Sequence, residues 1–191
     1  AANTVYGADA AFSFFQNINT GGYYARSVTD GVTRDTDSYQ GRFDFTGDRY
    51  GVLLQHLKVG DNFSPEIGFI RRDNFRRSFG QLRFSPRPKV RFKDIRQFTY
   101  LGELEYIENG AGQLETRIQT ARIAAERQNS DRVSVEAMSH YELLLRPFSV
   151  ARNVSIPRGG YQFSDVVATY QFGLQRRISG ALAVQRGAFY D

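Results

Sequence analysis

Over most of this chain apolar and polar residues alternate with a period of two, which suits a β-strand with two unlike faces and not a helix. From Tyr6 to Phe14 one face reads Tyr6, Ala8, Ala10, Phe12, Phe14, and the other Gly7, Asp9, Ala11, Ser13. From Tyr39 the faces are Tyr39, Gly41, Phe43, Phe45 against Gln40, Arg42, Asp44, Thr46. Around Phe98 they are Phe98, Tyr100, Gly102, Leu104, Tyr106 against Gln97, Thr99, Leu101, Glu103, Glu105. Near Val133 they are Val133, Val135, Ala137, Ser139, Tyr141 against Ser134, Glu136, Met138, His140. Weaker alternation marks strands at 22–28, 50–58, 75–84, 113–127, 161–172 and 178–189, about ten in all. A helix competes at 117–128, where Ile118, Ala121, Arg122 and Ala125 also fit a helical spacing. The hairpin-like flanks Gly110-Ala111-Gly112 and Asn129-Ser130-Asp131 favour the strand.

The expectation is an all-β antiparallel up-and-down meander, and strands of ten or more residues exceed the usual soluble length of about five or six. Residues 1–191 read as one β-barrel segment, a fragment of a larger transmembrane barrel. Connections at 17–21, 46–49, 129–131 and 174–177 are short, whereas 29–38, 59–74 and 146–160 are long; outer-membrane barrels show this asymmetry. The stretch 85–94 breaks it, being long where parity predicts short. Phe and Tyr supply 14% of residues and there are 18 Gly, with 41% hydrophobic residues overall, a mixture that fits one-sided strands. No apolar run approaches the roughly 18 residues of a membrane helix. The first residues, Ala1-Ala2-Asn3-Thr4, lack a basic segment followed by an apolar one, so a removed leader or an internal piece of a longer chain is expected. If short turns face the periplasm, the first strand runs inward, whereas a complete barrel starts outward. Strands are therefore expected upstream, and the end at Tyr190-Asp191 agrees, because a complete barrel usually finishes on an aromatic residue.

The charge of +5 comes from 25 Lys and Arg against 20 Asp and Glu, with both signs spread along the chain. The stretches Arg71-Arg72-Asp73-Asn74-Phe75-Arg76-Arg77 and Pro86-Arg87-Pro88-Lys89-Val90-Arg91-Phe92-Lys93 superficially resemble a nucleic-acid surface. No nucleic-acid-binding module accompanies them, and rim cations on a barrel pair with lipid phosphates or acidic neighbours. No nucleic-acid partner is expected. His56 and His140 are the two imidazoles; neither lies near a nucleophile motif, so structural roles are expected and no catalytic residue is assigned. Asp30, Asp35 and Asp37 lack the ordered spacing of a calcium loop, there is no Cys, and neither metal nor cofactor is expected. Arg42, Asp44, Glu103, Glu105 and Glu136 are candidates for the wall of a wet lumen, while Tyr6, Phe14, Tyr39, Tyr50, Phe98, Tyr106 and Tyr141 are candidates for interfacial girdles. In a soluble β-sandwich the same aromatics would form a core and the same charges would face solvent.

Three segments resemble one family. They are Gly60-Asp61-Asn62-Phe63-Ser64-Pro65-Glu66-Ile67-Gly68-Phe69-Ile70-Arg71-Arg72, then Val154-Ser155-Ile156-Pro157-Arg158-Gly159-Gly160-Tyr161-Gln162-Phe163, and Arg177-Ile178-Ser179-Gly180 with Gly187-Ala188-Phe189-Tyr190. They look like the outer-membrane family called domain of unknown function 5916. The resemblance implies a large C-terminal barrel preceded by a sandwich similar to family-9 carbohydrate-binding modules, with this chain lying within the barrel; it carries over no catalytic residue. Pro157-Arg158-Gly159-Gly160 departs from the family pattern of a second proline and a single glycine before the tyrosine. Within the first segment Pro65 removes a ladder donor and Gly68 allows a tight backbone, so Phe63 and Phe69 can fold back as anchors. Glu66 can then meet Arg71 or Arg72, which makes these three the loop candidates for ligand contact.

The function these readings predict is an integral protein of the bacterial outer membrane, in contact with outer-membrane lipid or lipopolysaccharide, that takes up or binds glycans or other polymers. The alternative is a soluble all-β glycan-binding module; an enzyme is the least supported class.

Overall fold

The computed structural model describes residues 3–65, 72–152 and 154–190, which form strands, turns and loops without a helix. The first eight strands are β1 (Asn3–Phe14), β2 (Ile18–Thr29), β3 (Asp37–Thr46), β4 (Tyr50–Val59), β5 (Phe75–Phe84), β6 (Ile95–Asn109), β7 (Leu114–Arg127) and β8 (Arg132–Leu144). A small hairpin follows, β9 (Phe148–Ala151) with β10 (Val154–Ile156), and then β11 (Gly159–Gln171) and β12 (Ala181–Gly187). Ten strands make one antiparallel up-and-down sheet in the order β1 to β8, β11, β12, and β9 pairs only with β10. The sheet stays open: among the described residues β1 pairs with β2 alone and β12 with β11 alone.

The register places each alternating face on one side of the sheet, because directly paired residues project the same way. On the apolar side Phe45 pairs with Val52, Val52 with Leu82 and Leu82 with Gly102. The row continues through Ala121, Ala137 and Val166. β1 and β2 stop level with that row, at Phe14 and Ile18, while β6 continues past it to Ile95, so the strands are progressively staggered.

Burial follows the same period but is inverted relative to a water-soluble sheet. In β6, Leu101, Glu103 and Glu105 are half-buried while Tyr100, Gly102 and Leu104 are exposed. In β7, Thr120 and Arg122 are half-buried and Ile123 is 57% exposed. The charged side is therefore the more enclosed one, as in a sheet curved toward its polar side chains. Among the described residues Val59 and Ala124 are the buried apolar ones, and the accessible surface is 13375 Å². A compact soluble protein of this 21.7 kDa mass exposes about 9,200 Å². Among the described residues no extended apolar interior is enclosed.

Residues 15–17, 47–49, 85–94, 128–131 and 172–180 connect strands at one end of the sheet, here called the turn end. The loop end carries 30–36, 60–65, 72–74, 110–113, 145–152 and 154–158. At 110–113 the turn needs Gly112, whose φ is +77°, and Asn109 Oδ1 accepts from the amides of Ala111 and Gln113 at 3.1 and 2.9 Å.

Several boundaries differ from the sequence expectation. β2 begins at Ile18 rather than at Gly22, so residues 18–21 are strand rather than connection; an added Cβ at Gly21 would lie 2.7 Å from the Ala10 carbonyl oxygen. The last strand begins at Ala181 rather than at 178, and the long connection at 146–160 contains the hairpin β9–β10. The segment 117–128 is β-strand to Arg127, because two neighbouring strands hydrogen-bond its backbone along most of its length.

Candidate functional site

The polar side carries a band of charged and amide side chains from β3 to β12. Arg42 Nη2 lies 2.8 Å from Asp44 Oδ2, two residues along β3 on the same side. Arg77 on β5 pairs with Glu105 on β6 and reaches Gln55 Oε1 on β4 at 3.4 Å. Gln81 donates to Glu103, and Arg122 on β7 pairs with Glu136 on β8. Farther along, His140 Nε2 is 3.3 Å from Asp165 Oδ1, whose other oxygen accepts from Gln185 Nε2 at 2.9 Å. Phe163 stacks on His140 at 5.0 Å between centroids. These two residues, with Met138, Asp165, Gln185 and Phe189, border an open hollow of about 570 Å³. Each acid meets a partner on the next strand or two residues along its own, so the wall is wettable while its charges are largely balanced.

Both ends of the sheet are tied by polar contacts. At the loop end, Ser27 Oγ accepts from the Ser64 amide at 3.1 Å, and Asn62 donates from its backbone to Asp35 O at 3.0 Å and from Nδ2 to Arg34 O at 3.0 Å. Lys58 Nζ lies 3.6 Å from Asp35 and 3.4 Å from Asp37, which accounts for two acids of the 30–37 loop. At the turn end, Arg83 reaches the carbonyls of Gly47, Asp48 and Tyr50 and, at 2.7 Å, Ser85 Oγ. Asp131, 0% exposed, accepts from the Gly173 amide at 2.9 Å, Tyr170 Oη at 2.7 Å, Asn129 Nδ2 at 3.0 Å and the Arg176 guanidinium. The Gly173 amide first, then Tyr170, with Arg176 and Asn129 after them, holds the Asp131 carboxyl well below the usual carboxylate range. Beyond β12, Tyr190 stacks obliquely against Phe163 at 5.1 Å and donates to Glu142. Burial, reinforced by the Glu142 carboxylate, pushes its phenol up to about 12.

On the apolar side aromatic rings gather near both ends of the strands. At the turn end Tyr50, Phe84, Tyr100 and Phe98 form a chain with successive centroids 5.3, 6.1 and 6.5 Å apart, and Phe12 stacks with Phe14 at 6.3 Å. Toward the loop end lie Tyr6, Tyr24, Tyr39, Tyr106 and Tyr141, which the register places on the same side.

Of the residues singled out from sequence, Arg42, Glu103 and Glu105 share the polar side, each held by a partner. Arg72 instead pairs with Glu115 and lies over the Phe75 ring at 5.3 Å, while Glu66 and Arg71 lie outside the described residues. His56 sits on the apolar side, its Nδ1 3.0 Å from Ser78 Oγ. That hydroxyl escapes the sequence because it belongs to the next strand. Among the described residues His56 hydrogen-bonds Ser78 alone and no carboxylate orients it, so the pair lacks the third member of a hydrolytic triad. Sequence reasoning also missed Asp131, Arg176 and the Phe163–Phe189–Tyr190 cluster, whose partners lie far apart in the chain.

Comparison with protein-family models, with curated proteins and with solved structures finds no match.

Proposed function

We propose that this chain is part of the wall of a bacterial outer-membrane β-barrel, with its apolar side toward lipid and its charged side toward a hydrated lumen. The observation that carries this reading is the inverted burial: Glu103 and Glu105 are more enclosed than Leu104 between them, and Leu82 is 63% exposed. Water would penalise that arrangement, and a bilayer rewards it. The aromatic rows fit the same reading. Tyr6 and Phe14 lie eight residues apart on one side of β1, about 26 Å along a strand, or about 20 Å of height at a tilt of about 40°. An outer-membrane apolar band flanked by ring girdles is about 25 Å tall. The progressive stagger from β1 to β6 is also what a tilted wall requires.

The wall acts passively. Paired charges and amides hydrate a path or bind polar solutes along it, while the apolar side holds the sheet in the bilayer. The hollow beside His140 is bordered by the aromatic side chains of Phe163 and Phe189 together with Asp165 and Gln185, a combination that suits sugar rings with their hydroxyls. Uptake or surface binding of glycans or related polymers is accordingly the cargo proposed, in line with the family resemblance of the 60–72 and 154–163 segments.

The test is folding of the chain, expressed with its native neighbouring sequence, into detergent micelles and lipid vesicles, read by electrophoretic migration with and without boiling. A faster-migrating unboiled band that requires detergent or lipid is the expected result. A water-soluble monomer with β-type circular dichroism would overturn the barrel in favour of a soluble glycan-binding module.

A further inference from the structure

We infer that the turn end of the sheet docks on anionic phospholipid headgroups, through the cations of the β5–β6 connection. The inference rests on the membrane reading above and adds the lipid class and the residues that recognise it. Within 85–94 the sequence Arg87-Pro88-Lys89-Val90-Arg91-Phe92-Lys93 alternates cations with apolar residues. Val90 is 80% exposed and Phe92 65% exposed. Phe92 nevertheless touches the sheet: its ring meets Phe98 edge-on at 5.8 Å, and Phe98 continues into the chain Tyr100, Phe84, Tyr50. The connection therefore hangs from the lipid side of the wall, flush with its aromatic row, at the depth where phosphates lie.

Charge supplies the second argument. The acids at this end are already taken: Asp48 by Arg87 at 2.6 Å, Asp94 by Arg127 at 2.6 Å and Asp131 by Arg176. Arg49 stands over the rings of Tyr50 and Phe84, at 6.0 and 5.4 Å. Among the described residues Lys89, Arg91 and Lys93 make no ion pair. Three uncompensated cations beside exposed apolar side chains match a surface that presents phosphates above hydrocarbon. A folded acidic protein would match the charge but leave Val90 and Phe92 without an apolar environment continuous with the ring row.

The experiment places the full chain, with its native neighbouring sequence, in phosphatidylcholine vesicles and measures the association of spin-labelled phosphatidylglycerol relative to spin-labelled phosphatidylcholine. The expected result is a preference for phosphatidylglycerol of at least about fivefold, the factor one surface cation contributes. It should collapse toward unity in the Lys89→Gln, Arg91→Gln, Lys93→Gln triple variant, and for the unmodified chain in about 1 M salt, where screening acts within about 3 Å. No preference in the unmodified chain, or an undiminished one in the triple variant, would overturn the inference while heat-modifiable migration still upholds the barrel. A chain that fails to fold in the phosphatidylcholine vesicles and in detergent alike would overturn the barrel reading and this inference with it.

Discussion

Arg176 holds the wholly shielded carboxylate of Asp131 with two nitrogens, Nε donating to Oδ1 at 2.9 Å and Nη2 to Oδ2, although the two residues stand 45 positions apart. The pair fastens the β11–β12 connection to the β7–β8 turn, and the Gly173 amide and Tyr170 hydroxyl share the same carboxylate. Asp131→Asn keeps the shape but replaces one acceptor oxygen with an NH2 group, a donor turned toward donors that already face it. Residues 172–180 should then be cut about tenfold faster in limited proteolysis, mapped by mass spectrometry of the fragments.

The same carboxyl sets an acid dependence. Its folded-state value is lowered, so its stabilising contribution is complete above about pH 4, the ordinary range for Asp. It is lost as pH falls through the depressed folded value. The difference in melting temperature between the unmodified chain and Asp131→Asn should therefore be constant near neutrality and narrow progressively below about pH 4.

Tyr190 behaves oppositely, because its folded value is raised to about 12. Its neutral phenol stabilises the fold fully below about pH 10, and that contribution fades as pH rises toward about 12. Phenolate absorbance during alkaline titration should show one late-ionising component that Tyr190→Phe abolishes.

Gly60 has no room for a side chain, since an added Cβ would lie 2.1 Å from the Asp35 carbonyl oxygen. That is backbone and cannot swing away. Gly60→Ala should cost about 1–3 kcal/mol in denaturant unfolding, and should expose the 30–36 loop to protease by breaking the Gly60-to-Asp37 and Asn62-to-Asp35 hydrogen bonds.

Leu82→Arg separates the two environments open to the apolar side. In water, a charge replacing a side chain that is 63% exposed should change stability by less than about 0.5 kcal/mol. On a lipid-facing strand, two residues inside the Phe84 ring row, it should cost about 1–2 kcal/mol, between the interfacial and midplane values. Unfolding titrations of the vesicle-reconstituted chain discriminate between these outcomes.

The alternation made much of this fold legible. Phe75–Phe84 and the faces around Phe98 and Val133 emerge as read, because period-two patterning survives any arrangement in which the two sides of a sheet meet different surroundings. Glycine misled at Gly21, which resembles a breaker but serves close approach between strands. The hairpin Phe148–Ala151 and Val154–Ile156 is too short for its period to stand out within a long connection. In the candidate wall, Arg42, Glu103 and Glu105 were visible as members of a polar face. Their partners Arg77 and Gln81, and the Asp131–Arg176 pair, were not, because pairing depends on register and register is written in no single strand.

Among the described residues Val59 and Ala124 are the apolar side chains the fold fully buries, so for a chain whose apolar side already meets lipid, folding within the bilayer withdraws little further hydrocarbon from water. Hydrocarbon hydration is what curves a protein's stability with temperature, through an unfolding heat capacity of about 12–15 cal/mol/K per residue in ordinary domains. A calorimetric trace of this chain should fall well below that range. Its stability should then vary almost linearly with temperature, with no maximum near room temperature and no cold-unfolding branch, so that heat acts on it mainly by loosening the ladder of hydrogen bonds from β1 to β12.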